Sequence, residues 1–229
     1  MPLCGHGALV IWHGITPEGD ADMIRWHNSE HVPERVGVPG FLRGRRYRST
    51  AVREYVDLYE TESVETIRSA PYLERLNHPT PWTQRVLPHF RHTFRIGCRV
   101  VSSVGRGQGG ALVTVRLRPQ PGRDEALRAW LSGPLLAALR EPAGFVGAHL
   151  LETAAETTRI KTAEGKLKGG EVATTDEPWP LVLLVECSDA GTAEALVGGL
   201  LHADLLAAHG AAADAVAGTY LLQLTMDAE

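Results

Sequence analysis

Two histidines stand four residues apart in Trp26-His27-Asn28-Ser29-Glu30-His31-Val32-Pro33-Glu34-Arg35, with the carboxylate of Glu30 beside the second. On a helix that spacing stacks both imidazoles on one face. Imidazole titrates near neutral pH, so the pair offers either proton transfer or nitrogen ligands for a divalent cation. The string His-Asn-Ser-Glu-His also fits the H-x-x-E-H pattern of inverted zinc proteases. Pro33 follows almost at once, however. No Glu occurs between Glu74 and Glu125, so a third ligand would have to come from the far half of the chain. A metal site is therefore not expected. The alternative to proton transfer is that one imidazole simply packs or caps the helix end, where its cation suits the helix dipole. His31 is the preferred proton carrier, and His27 is placed among the substrate-side residues.

Other residues join this list by strand alternation. His13 closes the apolar run from Gly7 and shares a face with Leu9 and Ile11, while Trp12 shares the other face with Ala8 and Val10. One of the two should reach an interior cavity, His13 as a general base or Trp12 as an aromatic wall; the alternative for His13 is a strand end open to water. Tyr55, Asp57 and Tyr59 share one face of Tyr55 to Glu60. Two phenols and a carboxylate suit a cavity better than a helix-covered surface, so this face is expected to look inward, unless it is an edge open to water. The phenols can donate hydrogen bonds or protons, and Asp57 can orient a histidine or pair with an arginine. Arg43, Arg45, Arg46 and Arg48 crowd one strand. Arg46, if it faces inward, is an anchor for an anion; otherwise these arginines form ordinary surface pairs. His78, His89 and Trp82 flank the proline-rich piece from Pro79 to Pro88 and are candidates for the rim of a site.

The elements that must position these residues recur. Gly7 to His13 reads as a strand. A helix capped by Asp20 or Asp22 runs to about Val36, stopped by Pro39-Gly40. Phe41 to Ser49 and Tyr55 to Glu60 read as strands, Ser63 to Ala70 and Pro71 to Leu76 as helical pieces, and Phe90 to Ser103 as a long strand. After the glycine-rich stretch Arg106 to Gly110 the order repeats: strand (Ala111 to Leu117), helix (Arg123 to Arg140), strands (Gly144 to Thr153 and Pro180 to Cys187), helices (Ala190 to His209) and a closing strand (Val216 to Met226). Val38-Pro39-Gly40-Phe41-Leu42 is echoed by Pro142-Ala143-Gly144-Phe145-Val146. Internal duplication explains this. Each half, 1–105 and 106–229, reads as a β-α-β-β-α-β ferredoxin-like unit. Such a unit covers one sheet face with helices and needs a second sheet for the other. The expected fold is α+β: two antiparallel four-stranded sheets face to face as a barrel with helices outside, an intrachain pseudo-dimer. The polar stretch Lys161 to Glu177 interrupts the second copy and reads as a long surface loop, with a lid as the alternative.

Bulk properties bound the function classes. The chain has 229 residues, 44% hydrophobic and 22% charged, with net charge −4. That charge argues against a dedicated nucleic-acid binder. No apolar run reaches membrane-spanning length and no leader is seen at the start, so a cytoplasmic protein is expected. Cys4, Cys98 and Cys187 are odd in number and far apart, which fits free thiols. No phosphate-binding glycine loop, nucleophile elbow or dinucleotide fingerprint occurs, and no cofactor is expected.

The patterns W-H-x-x-E-H-x-P-E-R (Trp26 to Arg35), P-G-F-L-R-x-R-R-Y (Pro39 to Tyr47) and N-x-P-T-P-W-T-x-R-x-x-P-H-F-R (Asn77 to Arg91) resemble the dimeric α+β barrel superfamily, and within it the EthD-like branch. The resemblance covers the first half. The second resembles the fold, but its helix from Arg123 to Arg140 holds no His. The resemblance implies a small-molecule barrel protein; the superfamily hosts monooxygenases, isomerases, cyclases, dehydratases and haem-handling proteins. The expected function is a cofactor-independent isomerase, cyclase or lyase using acid–base chemistry in a barrel pocket on a cyclic or aromatic substrate, anionic if Arg46 faces it. His13, His31, Tyr59 and Tyr55 are its catalytic candidates, with Trp12, His27, Arg46, Asp57, His78, Trp82 and His89 on the substrate side. The alternatives are a non-catalytic ligand-binding or stress-related barrel, and a cofactor-free or haem-dependent monooxygenase. The expected partner is a small molecule, with self-association into a homodimer left open.

Overall fold

The computed structural model describes residues 3–158, 160–169 and 179–229. In the first half, β1 (Gly7–Ile15) leads to α1 (Asp20–Trp26), a π turn (His27–His31) and α2 (Val32–Val36). Then follow β2 (Phe41–Ser49), β3 (Glu54–Thr61), a 3-10 turn (Val64–Arg68), α3 (Ala70–Asn77), α4 (Pro81–Val86) and β4 (Phe90–Gly105). The second half runs β5 (Ala111–Leu117), α5 (Asp124–Trp130), a π turn (Leu131–Leu135), α6 (Leu136–Ala138) and β6 (Phe145–Thr153). It closes with α7 (Ala155–Thr158), α8 (Ala163–Leu167), β7 (Leu181–Cys187), α9 (Ala190–Gly198), α10 (Ala203–Ala208) and β8 (Val216–Asp227).

All eight strands form one closed barrel in the order β1-β3-β2-β8-β5-β7-β6-β4, and every neighbouring pair is antiparallel. Cut at β2–β8 and β4–β6, the ring gives two sheets with one strand order, β4-β1-β3-β2 and β8-β5-β7-β6. Closure leaves no sheet edge unpaired. Among the described residues no helix is long and apolar enough to cross a membrane.

Alternation sorts the side chains into two kinds of core. Ala8, Val10 and Trp12 of β1 pack with Val56, Leu58, Phe94, Ile96, Leu112, Val182 and Leu184, residues from both halves. This is the barrel interior. Leu9 packs instead with Val32, Val36, Tyr59 and Tyr72, beneath the helices. The corresponding cluster of the second half, Val113, Val115, Leu127, Leu131, Leu135, Leu183 and Val185, is aliphatic throughout.

Among the described residues the apolar side chains that pack with Trp12 line the interior. Trp12 lies in it, its indole N–H donating to Thr114 Oγ1 (3.1 Å) and its ring beneath the Arg116 guanidinium at 4.8 Å. Nearer the opposite end sits a buried ion network. Arg45 reaches Glu60 and Glu186, each at 2.8 Å, and His149 meets Glu186 at 3.2 Å. Ser103 lies 2.7 Å from the other His149 nitrogen, and the Gly109 N–H donates to Glu186 at 2.7 Å. Tyr55, Asp57 and Tyr59 face the helices, not the interior. Their polarity suggested the reverse; it is tolerated there because the covering helix brings its own polar groups, described below.

Burial alone would raise the Glu186 carboxyl, but the His149 hydrogen bond and the Arg45 charge outweigh it and bring it down to about 2. Its stabilising contribution is thus complete above the unfolded-chain value of about 4.3 and disappears as pH falls through about 2. Glu186→Gln leaves the buried Arg45 with Glu60 alone and removes the carboxylate that His149 meets. It should lower the unfolding free energy by about 3–5 kcal/mol at neutral pH, measured by denaturant titration, and the deficit should shrink toward pH 2. A variant as stable as the parent at neutral pH would contradict the network's role.

Candidate functional site

The helix that carries the two histidines is built around a proline. Pro33 has no N–H to donate, and the turn before it widens so that the Val32 N–H bonds to the His27 carbonyl. The helix then continues to Val36 rather than ending at the proline. Gly44 on β2 lets this helix approach the sheet: a Cβ there would lie 2.9 Å from Val32 Cγ1 and 3.1 Å from the Tyr59 ring. On the sheet side, β1 and β4 slip register between Trp12 and Gly14. The irregularity lies where His13 would pair, and His92 opposite adopts φ +47°. Such bulges re-aim side chains.

These devices bring His13, His27, His31, Asp57 and Tyr59 together between sheet and helix. Asp57 is 3% exposed. His13 Nε2 lies 3.1 Å from its Oδ2 and His27 Nδ1 3.6 Å from its Oδ1. The first is a hydrogen bond; the second is a close approach beyond hydrogen-bond reach. Burial would raise the Asp57 carboxyl, yet His27, His13 and Arg46 together hold it below its ordinary value. An ionised Asp57 can only accept, so His13 Nε2 carries a proton. The other His13 nitrogen lies 3.3 Å from the Gly14 carbonyl. His13 also stacks on Phe90 and Tyr55, with ring centroids 4.2 and 5.5 Å away.

The His27 and His31 rings stack nearly parallel, 5.2 Å apart and 8° from coplanar, and Trp26 lies 4.1 Å from His31. Burial brings His27 down to about 3 despite the opposing pull of Asp57. Burial, followed by the charge of Arg35, takes His31 well below its ordinary value. Both are neutral imidazoles at pH 7. Their Nδ1 atoms, the Tyr59 hydroxyl, Asp57 Oδ1 and Arg46 Nε are all buried without a hydrogen-bond partner among the described residues. Natural proteins rarely leave such atoms unmatched, so their concentration around one carboxylate marks a place built to meet a further polar molecule. Burial also raises the Tyr59 phenol well above its usual range. Among the described residues no group of three or more His, Cys, Asp or Glu is arranged to hold a metal ion.

The other candidates are distributed more widely. Arg46 is 2% exposed and donates to Asn28 Oδ1 at 2.9 Å. Tyr55 shares the Asp57 face, but its hydroxyl donates to Asp20 Oδ1 at 2.6 Å. Burial and that bond push its phenol to about 12. His89 contacts Thr16 Oγ1 at 2.9 Å, Trp82 donates to Asp22 at 3.3 Å, and His78 is exposed against Glu74. Trp12 is on the opposite side of the sheet. A surface groove of about 380 Å³ in the second half, lined by Pro142, Gly144, Leu196 and Leu200 among others, has no titratable lining residue.

Three features escaped sequence reasoning. Arg35, 2% exposed, pairs with Glu164 and Glu34. Glu164 belongs to α8, in the stretch read as a free surface loop; residues 160–169 instead pack on the first half, while the rest of that stretch lies outside the described residues. Lys168 follows α8, its amine 5.9 Å from the centre of the Phe90 ring, and burial lowers it to about 8. The one available signal was that all three lysines of the chain fall in this stretch.

No family model matches the chain, and no curated protein does either. Solved structures do. An anthrone oxidase-like protein aligns over 97% of this chain and 93% of its own, at 16% identity and TM-score 0.68. A candidate monooxygenase from Fusobacterium nucleatum subsp. nucleatum aligns over 98% and 96% at 9% identity and TM-score 0.60. One from Lactobacillus acidophilus aligns over 97% and 96% at 8% identity and TM-score 0.59. At these identities the likeness shows the fold alone, an α+β barrel of ferredoxin-like type.

Neutral burial of His31 has a consequence for stability. The unfolded chain takes up a proton near pH 6.5; the folded chain does so only at much lower pH. Stability should therefore be full above pH 6.5 and fall as the solution is acidified, by up to about 1.4 kcal/mol per pH unit for each such histidine. His31→Phe, which keeps an aromatic ring against Trp26, should remove one proton's share of that slope between pH 6.5 and 4.5, measured by urea unfolding. An unchanged slope would show that His31 is not held neutral.

Proposed function

We propose that the chain is a duplicated dimeric α+β barrel protein on the EthD-like side of that superfamily, with residues 1–105 and 106–229 as its two copies. The first copy carries an acid–base site for a small cyclic or aromatic molecule. The observation that carries this reading is the buried Asp57 carboxylate held by His13 and faced by His27, beside neutral imidazoles whose Nδ1 atoms have no hydrogen-bond partner among the described residues. A neutral imidazole can accept a proton, and Asp57 favours the cation at His27.

In this reading His31 takes a proton from an acidic C–H or O–H of the substrate, and the bonding electron pair remains on the substrate as an enolate or phenolate. His27 couples His31 to Asp57. His13, both of whose nitrogens face oxygen acceptors, positions Asp57. Tyr59 donates to the developing oxyanion, and Arg46 attracts it from beside Asn28. Returning the proton to a different atom is isomerisation; expelling a leaving group is elimination. Trp12, His78, Trp82 and His89 have no part in these steps, and Tyr55 only stacks against His13.

A second outcome has support in the fold neighbours described as monooxygenases and as anthrone oxidase-like. The same substrate anion can surrender electrons to dioxygen, so oxygenation would share the proton-abstraction step and differ after it. Solvent-deuterium exchange into anthrone and 2-tetralone, followed by mass spectrometry, tests the shared step. The protein should accelerate exchange into at least one, and His31→Ala should slow it on the order of a hundredfold. Oxygen uptake then separates oxygenation from isomerisation. Exchange no faster than in buffer, or equally fast in His31→Ala and His27→Ala, rejects the acid–base site.

A further inference from the structure

We infer that Lys168, delivered from the second half of the chain, contacts the ligand bound at the first half's histidine site, and that this ligand carries an acidic oxygen (an enol, phenol or carboxylate) bound as its anion. The inference rests on the acid–base reading of that site and names its substrate class.

The segment bearing Lys168 is fastened on both sides of it. Ahead of it, Glu164 of α8 forms a buried ion pair with Arg35, and the Ala163 N–H donates to Asn77 Oδ1 at 3.1 Å. Behind it, the Gly169 N–H donates to the Leu87 carbonyl at 3.3 Å. Gly169 sits so close to the first half that a Cβ would collide with the Pro88 carbonyl and the Arg91 guanidinium. Between these fixed points the Lys168 amine lies over Phe90, the ring that stacks on His13.

Lys168 itself has no hydrogen bond or ion pair with a described residue. The charges that act on it are Glu164, Arg95, Asp57 and Arg35, and it in turn acts on His31. Glu164 is already engaged by Arg35, Arg95 donates to the Thr157 carbonyl, and Asp57 is held by His13. Among the described residues, this half-buried ammonium therefore has no carboxylate that is not already engaged. A ligand anion beside His31 would supply a counter-charge. The second half cannot host an equivalent site. The first and last residues of its π turn are Leu131 and Leu135, where the first half has His27 and His31. The proposed site therefore belongs to the first half's helix face, with Lys168 added from the second half.

The test uses a matched pair of probes: 2-hydroxy-1,4-naphthoquinone, anionic at neutral pH, and its neutral 2-methoxy ether. Binding is followed by quenching of tryptophan fluorescence. The parent should bind the anion at least tenfold more tightly. Lys168→Met should abolish that preference while leaving affinity for the ether within about twofold, and Lys168→Arg should restore most of it. Trace acetylation read by mass spectrometry has Lys161 and Lys166 as internal controls, and the anion should protect Lys168 alone. A preference that survives in Lys168→Met, or failure of the anion to protect Lys168 in the parent, overturns the inference. Neither result bears on the deuterium exchange that tests His31, so the two readings fail separately. Loss of affinity for both probes in Lys168→Met would show a structural role instead and also overturns it.

Discussion

A carboxylate with almost no access to water has to be answered by its surroundings, and Asp57 sets that demand for the first half of this protein. An isolated buried charge costs far more than a small domain can spare. His13 answers it from the neighbouring strand, His27 from the helix above, and Arg46 adds its field from β2. Each imidazole's position depends on a backbone device. The register slip in β1–β4 accompanies His13, the π turn before Pro33 presents His27, and Gly44 admits the helix close enough for both to reach one carboxylate.

The barrel explains why such a cluster can exist beneath helices. Closure of two four-stranded sheets buries an apolar interior shared by both halves, pinned by Arg45 between Glu60 and Glu186. That shared core lets one helix-covered face depart from the aliphatic norm. The contrast between halves is direct. α1 and α5 both run seven residues from an Asp to a Trp, and both lead into a five-residue π turn. One turn presents imidazoles to a carboxylate; the other presents leucines to Leu183 and Val185. The two halves share a strand order, and the imidazole–carboxylate cluster described above lies in the first.

Much of this was legible in the chain. Alternating, β-branched and continuous apolar runs located all eight strands, two of them (Phe41–Ser49 and Ala111–Leu117) with their observed bounds. The echo around Pro39-Gly40-Phe41 and Ala143-Gly144-Phe145 anticipated two sheets of equal strand order. Tyr55, Asp57 and Tyr59 were rightly grouped on one face, and that face was assigned to the wrong side. Alternation separates faces without saying which one meets helices, and only the burial partners of Leu9 decide it. His149 had no visible partner because Glu186 is 37 residues away. Arg35 and Glu164 are 129 apart. Pairings at such separations follow from the closed topology and leave no local trace.

The account stands on Asp57 being ionised and accepting a hydrogen bond from His13 Nε2–H. Selective ¹⁵N labelling of histidine, with imidazole N–H proton resonances recorded at neutral pH, observes that bond directly. The parent should show a strongly downfield, exchange-protected Nε2–H signal assigned to His13, and Asp57→Asn should move it upfield or erase it while other imidazoles keep their positions. A His13 Nε2 that carries no proton in the parent, or a resonance indifferent to Asp57→Asn, would contradict the charge arrangement from which the site was built.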